Sequence, residues 1–211
     1  MSVPAPILLQ HARASAGRFG RLLLTGLVLL GPGSLCSGAT LLVGAAGGGA
    51  WTLTLDGTSY PCAVGRAGVA RAGAKREGDG MTPSGVFPLR GLWFRADQVD
   101  GAKLPAVWGP RAIARTDGWC DDPRDAAYNR PVPLPFPARH EDLWRPDGLY
   151  DLVVPIGYND DPAVPGLGSA IFLHVAAPGY GPTSGCVALA KEDLLALLQR
   201  LQPGDLIEIR P

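Results

Sequence analysis

The stretch that decides the fold and the chemistry reads "IFLHVAAPGYGPTSGCVAL" and spans residues 171–189. Its apolar start predicts a buried strand, which ends near His174. A turn of small residues follows and presents Cys186, twelve positions beyond the histidine. The residues alone leave two interpretations open, because a histidine and a cysteine at such places can form a catalytic pair or simply pack in a core.

Scarcity of histidine restricts the catalytic interpretation. The chain has three histidines: His11 in the leader, His140 among charges on a predicted loop, and His174. A thiol with the ordinary pKa of about 8.5 is only partly ionised at neutral pH and needs a nearby base. His174 is therefore the only credible partner for a Cys186 nucleophile.

The turn before the cysteine consists of Thr183, Ser184 and Gly185. Small residues let a reacting carbonyl approach the sulfur, and they leave backbone N–H groups free to stabilise an oxyanion. The apolar residues Val187 and Leu189 favour the opposite interpretation, in which Cys186 only packs.

From about residue 40 the pattern predicts strands. "WTLTL" (51–55) alternates apolar residues with Thr, and the following Asp56-Gly57 indicates a hairpin. Further strands are predicted within 82–89, 92–96, 111–115, 149–158, 169–175 and 206–209. In "KEDLLALLQRL" (191–201) four leucines form one helical stripe: Leu194, Leu197, Leu198 and Leu201. The sequence thus predicts a mainly β domain over 40–211, with one helix packed on it.

Residues 117–148 form a long excursion with few periodic signals, and such loops are often functional. Candidate substrate-binding residues on it are Trp119, Asp121, Asp122, Tyr128 and Asn129. The alternatives are ordinary loop packing, and pairing of the carboxylates with Arg124 and Arg130. No paired Cys/His spacing supports a metal site. The Gly-rich loop 65–80 carries Lys75, Arg76, Glu77 and Asp79, which predict either a substrate-binding rim or a solvated loop.

Composition and the N-terminus bound the function further. Acidic and basic residues balance at 19 each with no basic stripe, which argues against nucleic-acid binding.

Residues 1–39 combine a basic flank, the apolar run 22–30 and small residues at a possible cut before Thr40. This pattern predicts a signal peptide and export to the periplasm or cell envelope. The alternative is a flexible leader or misassigned start of a cytoplasmic protein. In an oxidising compartment Cys62 and Cys120 could pair; otherwise both stay free thiols.

The stretch 171–189 resembles the active-site motif of the L,D-transpeptidases that carry a YkuD-type catalytic domain. That motif has a histidine on a strand, then Ser or Thr, a second His, Gly, Cys and an apolar residue. The matching residues here are His174, Thr183, Gly185, Cys186 and Val187. "TPSGVF" (82–87) also resembles an element that precedes the motif in this family.

The resemblance implies a β-sandwich-like domain with a helix near its end. It also implies an enzyme of cell-wall biogenesis that acts on peptidoglycan stem peptides as a monomer, without metal or cofactor. Cys186 would be the nucleophile, His174 the proton donor and acceptor, and the N–H groups of Gly185 and Cys186 the oxyanion donors. A thioester acyl-enzyme would then pass its acyl group to an amine of a neighbouring stem.

The sequence departs from the motif at several positions, which indicates a divergent branch. Ser184 stands in place of the second His, and Ala188 in place of an Arg or Asn that could contact a substrate carboxylate. Val175 replaces a Gly, and the spacer is shorter than usual. Two alternatives therefore stay open: an L,D-carboxypeptidase or endopeptidase that uses the same pair, and a catalytically silent wall-binding module.

Overall fold

The fold comes from a computed structural model that describes residues 38–211. The predicted leader lies outside the described residues, apart from its last two positions. The strands, in chain order, are β1 (Thr40–Gly47), β2 (Ala50–Leu55), β3 (Thr58–Ala63), β4 (Gly85–Pro88), β5 (Trp93–Phe94), β6 (Arg111–Ala112), β7 (Asp117–Cys120), β8 (Pro131–Pro133), β9 (His140–Asp142), β10 (Leu152–Pro155), β11 (Phe172–Val175), β12 (Val187–Leu189) and β13 (Leu206–Ile209). Short 3-10 turns span Gly101–Lys103, Ala106–Trp108 and Pro178–Tyr180.

Ten strands form one sheet in the order β4-β13-β1-β2-β3-β12-β11-β10-β5-β6. The hairpin predicted at Asp56-Gly57 is confirmed: β2 and β3 pair antiparallel across these two residues. Asp56 has φ 49° and Gly57 has φ 78°, both in the left-handed region that a two-residue hairpin turn of this kind requires.

The predicted helix, α1 (Lys191–Leu198), is also confirmed. Leu194, Leu197 and Leu198 are fully buried against the sheet, and Glu192 and Asp193 lie in the first turn, where the helix dipole favours negative charge. The helix is shorter than the leucine stripe suggests, because the chain leaves helical geometry before Leu201, which is still buried. Within the described residues no helix has the length and apolar character to cross a membrane.

The excursion 117–148 is more regular than the sequence predicts. It folds into a separate three-stranded sheet of order β8-β7-β9. Gly118 pairs with Val132 on one side and Asp142 on the other. Each strand has only three or four residues, and β8 begins and ends with proline, so no periodic pattern marks these strands in the sequence.

The central strands β11 and β12 run parallel and divide their side chains between two apolar cores. Leu173 pairs with Val187, and both belong to the large core beneath α1. Phe172 and Cys186 belong to a smaller cluster on the opposite face, which also includes Tyr150. The expectation of a mainly β domain with one packed helix is confirmed, and the alternation of a strand places the candidate pair on the face away from the helix.

Candidate active site

One cavity of about 450 Å³ contains both members of the candidate pair. His174 lies near the end of β11, and Cys186 immediately precedes β12. The cavity wall also includes Thr183 and Ser184 of the predicted turn. Its charged lining residues are Arg66, Lys75, Glu77, Asp121, Arg139, Glu141 and Arg145.

The turn that presents the cysteine is held by two threonines. Thr183 Oγ1 donates to the Cys186 carbonyl at 2.7 Å and accepts from the Gly185 N–H at 3.1 Å. Thr82, from the "TPSGVF" element, contributes a 3.4 Å hydrogen bond to the same carbonyl. Gly185 has φ 143°, and a Cβ there would lie 2.9 Å from the Met81 carbonyl oxygen, so only glycine fits. The two motifs identified in the sequence therefore meet at this turn.

The Cys186 thiol is buried and hydrogen-bonded. Its Sγ donates to the Ala170 carbonyl and accepts from the Phe172 N–H, both at 3.3 Å. Burial and, to a smaller extent, the nearby negative charge of Glu141 together raise the pKa of Cys186 to about 12. Only 7% of the residue's surface is exposed. The resting thiol is therefore protonated at neutral pH.

His174 is equally buried and has a defined tautomer. Its Nδ1 lies 2.8 Å from the Val175 carbonyl oxygen, which can only accept, so Nδ1 carries the proton and Nε2 keeps a lone pair. Burial lowers the pKa of His174 to about 4, so the ring is neutral at neutral pH. Tyr150 packs edge-on against the imidazole with 5.2 Å between ring centroids. The site thus contains a neutral base and a neutral thiol.

The two groups share a face, but among the described residues no hydrogen bond joins their side chains. The register pairs His174 with Ala188, two residues beyond Cys186, on strands that lie roughly 4.8 Å apart. In the described chain the sulfur's hydrogen bonds go to backbone groups of Ala170 and Phe172, not to the imidazole. Catalytic hydrogen bonds are often long without substrate and tighten in the Michaelis complex.

Two polar groups of the predicted oxyanion turn already have hydrogen-bond partners in the structure. The Gly185 N–H, expected to face the oxyanion, instead donates to Thr183 Oγ1. Ser184 Oγ accepts a 3.2 Å hydrogen bond from Arg66 Nη1. The Gly185 N–H can serve a reacting carbonyl only after it exchanges its present partner.

Of the five substrate-binding candidates on the excursion, only Asp121 lines this cavity. Its Oδ1 accepts from Arg139 Nε at 2.9 Å. Asp122 does not line it: its carboxylate binds the backbone N–H and the guanidinium of Arg124, which lowers the pKa of Asp122 well below its usual range. Asp122 therefore pairs with Arg124, which is the alternative that the sequence left open for this carboxylate.

Three of the candidates lie outside the cavity wall and support residues that form it: Trp119, Tyr128 and Asn129. Asn129 Oδ1 accepts hydrogen bonds from the Trp119 indole N–H and from the Ala170 N–H, both at 3.0 Å. The carbonyl of the same Ala170 accepts the hydrogen bond of the Cys186 thiol. The Tyr128 hydroxyl donates to Glu77 at 2.6 Å. Trp119 and Asn129 line a second cavity of about 260 Å³ instead. Trp119, Tyr128 and Asn129 thus lie outside the wall of the cavity that holds Cys186 and His174.

Sequence reasoning missed several residues of the cavity wall. Arg139, Glu141 and Arg145 come from the excursion, where no pattern distinguishes them, and Tyr150 precedes β10. The Tyr150 hydroxyl donates to Glu141, and burial raises the pKa of that carboxyl. The loop 65–80 contributes Lys75 and Glu77 to the cavity wall, and Lys75 is buried rather than solvated.

The other two cysteines of the described residues do not line the cavity. Cys62 lies in β3 of the large sheet and Cys120 in β7 of the small one, and both are buried free thiols. Across residues 38–211 there is no cluster of three or more His, Cys, Asp or Glu side chains with the arrangement of a metal site.

Comparison with solved structures finds several L,D-transpeptidases. L,D-transpeptidase 1 of Mycobacterium tuberculosis matches with 15% identity and a TM-score of 0.38, covering 82% of this chain and 59% of that one. L,D-transpeptidase 3 of the same organism, in complex with a faropenem-derived adduct, matches with 13% identity and a TM-score of 0.40, covering 82% and 60%. An L,D-transpeptidase from Mycobacterium smegmatis matches with 15% identity and a TM-score of 0.37, covering 82% and 60%. The chain thus spans about three fifths of the length of these proteins.

No curated protein matches the chain. The family match is more extensive: the YkuD family, described as the L,D-transpeptidase catalytic domain, matches residues 51–209. This range includes the "TPSGVF" element, the cavity, α1 and β13. The chain belongs to the YkuD family of L,D-transpeptidase catalytic domains.

Proposed function

We propose that this protein is a cysteine-dependent L,D-transpeptidase that acts on peptidoglycan stem peptides through a thioester acyl-enzyme. The observation that carries the proposal is the presence of Cys186 and His174 in the wall of one cavity, with His174 Nδ1 hydrogen-bonded to the Val175 carbonyl. A neutral buried base that shares a cavity with a buried thiol is suited to nucleophilic catalysis.

In the acylation step Cys186 attacks the carbonyl carbon of the third stem residue, an L-centre bonded to a D-amino acid. His174 Nε2 takes the thiol proton as the C–S bond forms, since neither group is charged at rest. The backbone N–H of Cys186 stabilises the oxyanion, joined by that of Gly185 once it leaves Thr183 Oγ1. When the C–N bond breaks, the imidazolium returns the proton to the departing amine, which leaves a thioester.

In the second step an amine of a neighbouring stem attacks the thioester and loses its proton to His174. The product is a peptide cross-link, and Cys186 is released as a thiol. Water as the acceptor would give an L,D-carboxypeptidase or endopeptidase product through the same two residues. Because these substrates lie in the cell envelope, the proposal includes export and removal of residues 1–39, which would leave 40–211 as the catalytic domain.

One observation favours the alternative of a silent wall-binding module. Cys186 is 7% exposed and its pKa is raised to about 12, so the resting thiol is not activated. Under the catalytic proposal this barrier is overcome by proton transfer to His174 as substrate binds. Under the alternative the thiol stays unreactive even with stem peptide present.

The test is incubation of the exported form with purified disaccharide tetrapeptide, followed by mass analysis of protein and products. We expect a mass increase on the peptide that contains Cys186 and release of the terminal D-amino acid. Cys186→Ala should remove both signals while retaining the fold. Cys120→Ala is the matched control and should keep them. An unmodified wild-type protein that still binds the stem would establish the silent module instead.

A further inference from the structure

The charges of the catalytic cavity are paired, with one exception. Seven charged side chains line it, and six lie within 4.0 Å of an opposite charge. Lys75 pairs with Asp79 at 2.7 Å, Arg139 with Asp121 at 2.9 Å and with Glu77 at 3.5 Å, and Arg145 with Glu141 at 3.6 Å. Among the described residues no carboxylate lies that close to Arg66. Arg66 is therefore the one charged lining residue without an opposite charge within 4.0 Å among the described residues.

Arg66 is held beside the turn that presents the nucleophile. Its backbone N–H donates to the Thr183 carbonyl at 2.8 Å, and the Thr183 N–H donates to the Val64 carbonyl at 2.9 Å. Its side chain reaches further along the same turn, where Nη1 donates to Ser184 Oγ at 3.2 Å. Ser184 is two residues from Cys186, so the guanidinium lies at the edge of the reacting centre.

The protein leaves space for this side chain at Gly80. A Cβ at Gly80 would lie 2.8 Å from Arg66 Cζ and 2.9 Å from Nε, closer than real contacts allow. The guanidinium therefore lies over the bare backbone of Gly80. Arg66 is itself exposed, so its guanidinium lines the cavity with access to solvent, hydrogen-bonded to Ser184.

We propose that Arg66 binds a carboxylate of the donor stem peptide and thereby orients the scissile carbonyl toward Cys186; this rests on the function proposed above. A guanidinium has five N–H donors, and the hydrogen bond to Ser184 uses one. The other donors can form two parallel hydrogen bonds to one carboxylate. The planar guanidinium of arginine suits this bidentate arrangement better than the ammonium group of lysine. Ala188, the neighbour of His174 in the register, is buried and offers no polar group for this purpose.

The stem has two kinds of carboxylate that fit this chemistry: the terminal group of the leaving D-amino acid, and a carboxyl carried within the stem. The test therefore uses three donor peptides: one with both groups free, one amidated at the terminus and one amidated internally. Each is assayed for kcat and KM of acylation with wild type, Arg66→Gln and Arg66→Lys. Arg71→Gln is the matched control, an exposed arginine on the same loop that does not line the cavity.

For wild type we expect one of the two amidations to raise KM about tenfold or more, the effect of losing a hydrogen-bonded charge partner. Arg66→Gln should raise KM by a similar factor for the unmodified donor, with kcat changed much less, and should remove the penalty for that amidation. Arg66→Lys should recover part of the affinity, and Arg71→Gln should match wild type.

Two results would overturn the inference. In the first, Arg66→Gln has the wild-type KM for all three donors; in the second, Arg66→Gln raises KM by the same factor for all three donors. Either result is distinct from failure of the proposed function, in which wild-type protein forms no acyl-enzyme with any donor. In that case the dissociation constants of the three peptides from wild type and Arg66→Gln, measured by calorimetry, give the same comparison without turnover.

Discussion

Strands β11 and β12 present two faces with opposite properties. On the face toward α1, Leu173, Val187 and Leu189 are fully buried in the large apolar core. On the other face, Cys186 and His174 line the cavity, and Phe172 packs in the small apolar cluster with Cys186. The side chains alternate along one short segment, so residues adjacent in sequence serve different purposes. The comparison teaches that the packed face fixes the backbone on which the reactive face depends.

The largest effect should follow a change on the reactive face. His174→Gln removes the Nε2 base while keeping a polar side chain of similar reach, and should lower the acylation rate by about 10² to 10⁴-fold. Single-turnover mass spectrometry measures that rate, and urea unfolding checks that the fold persists. His140→Gln is the control, because His140 does not line the cavity. Acylation at the wild-type rate in His174→Gln would show that the reactive face does not supply the base.

A change on the packed face should act on stability instead. Leu173→Ala removes a fully buried side chain next to His174 and should lower the free energy of unfolding by about 2–5 kcal/mol. Urea denaturation measures the loss. The acylation rate per folded molecule should stay within a few-fold of wild type. A rate that falls as far as in His174→Gln would show that the two faces are not separable.

The smallest effect concerns the charge around the thiol. Because the pKa of Cys186 is raised to about 12, its alkylation by iodoacetamide should quicken about tenfold per pH unit from pH 7 to 10, without a plateau. Glu141→Gln removes a negative charge that raises this pKa, and should speed alkylation several-fold at each pH. Asp142→Asn, a change at the exposed neighbour, is the control. A plateau below pH 7 would instead indicate a thiolate–imidazolium pair.

The local elements of the fold were predictable from the sequence. The Asp56-Gly57 turn, the alternation in 51–55 and the leucine stripe of α1 all depend on residues close in the chain. The small sheet was not predictable, since its strands are too short to show a period. The same limit applies to the site: scarcity of histidine singled out His174, but nothing near Glu141 in the sequence indicates that it faces the cavity.

The sequence by itself determined the mainly β class, the single helix and the two groups proposed to carry the chemistry. Only the tertiary structure decided which side chains surround them. Arg66 contacts Ser184 across 118 positions of chain, and Ser169 reaches Glu77 across 92. The physical reason is that periodicity and turn chemistry act over a few residues, whereas a cavity wall is assembled from loops that meet only when the sheet has formed.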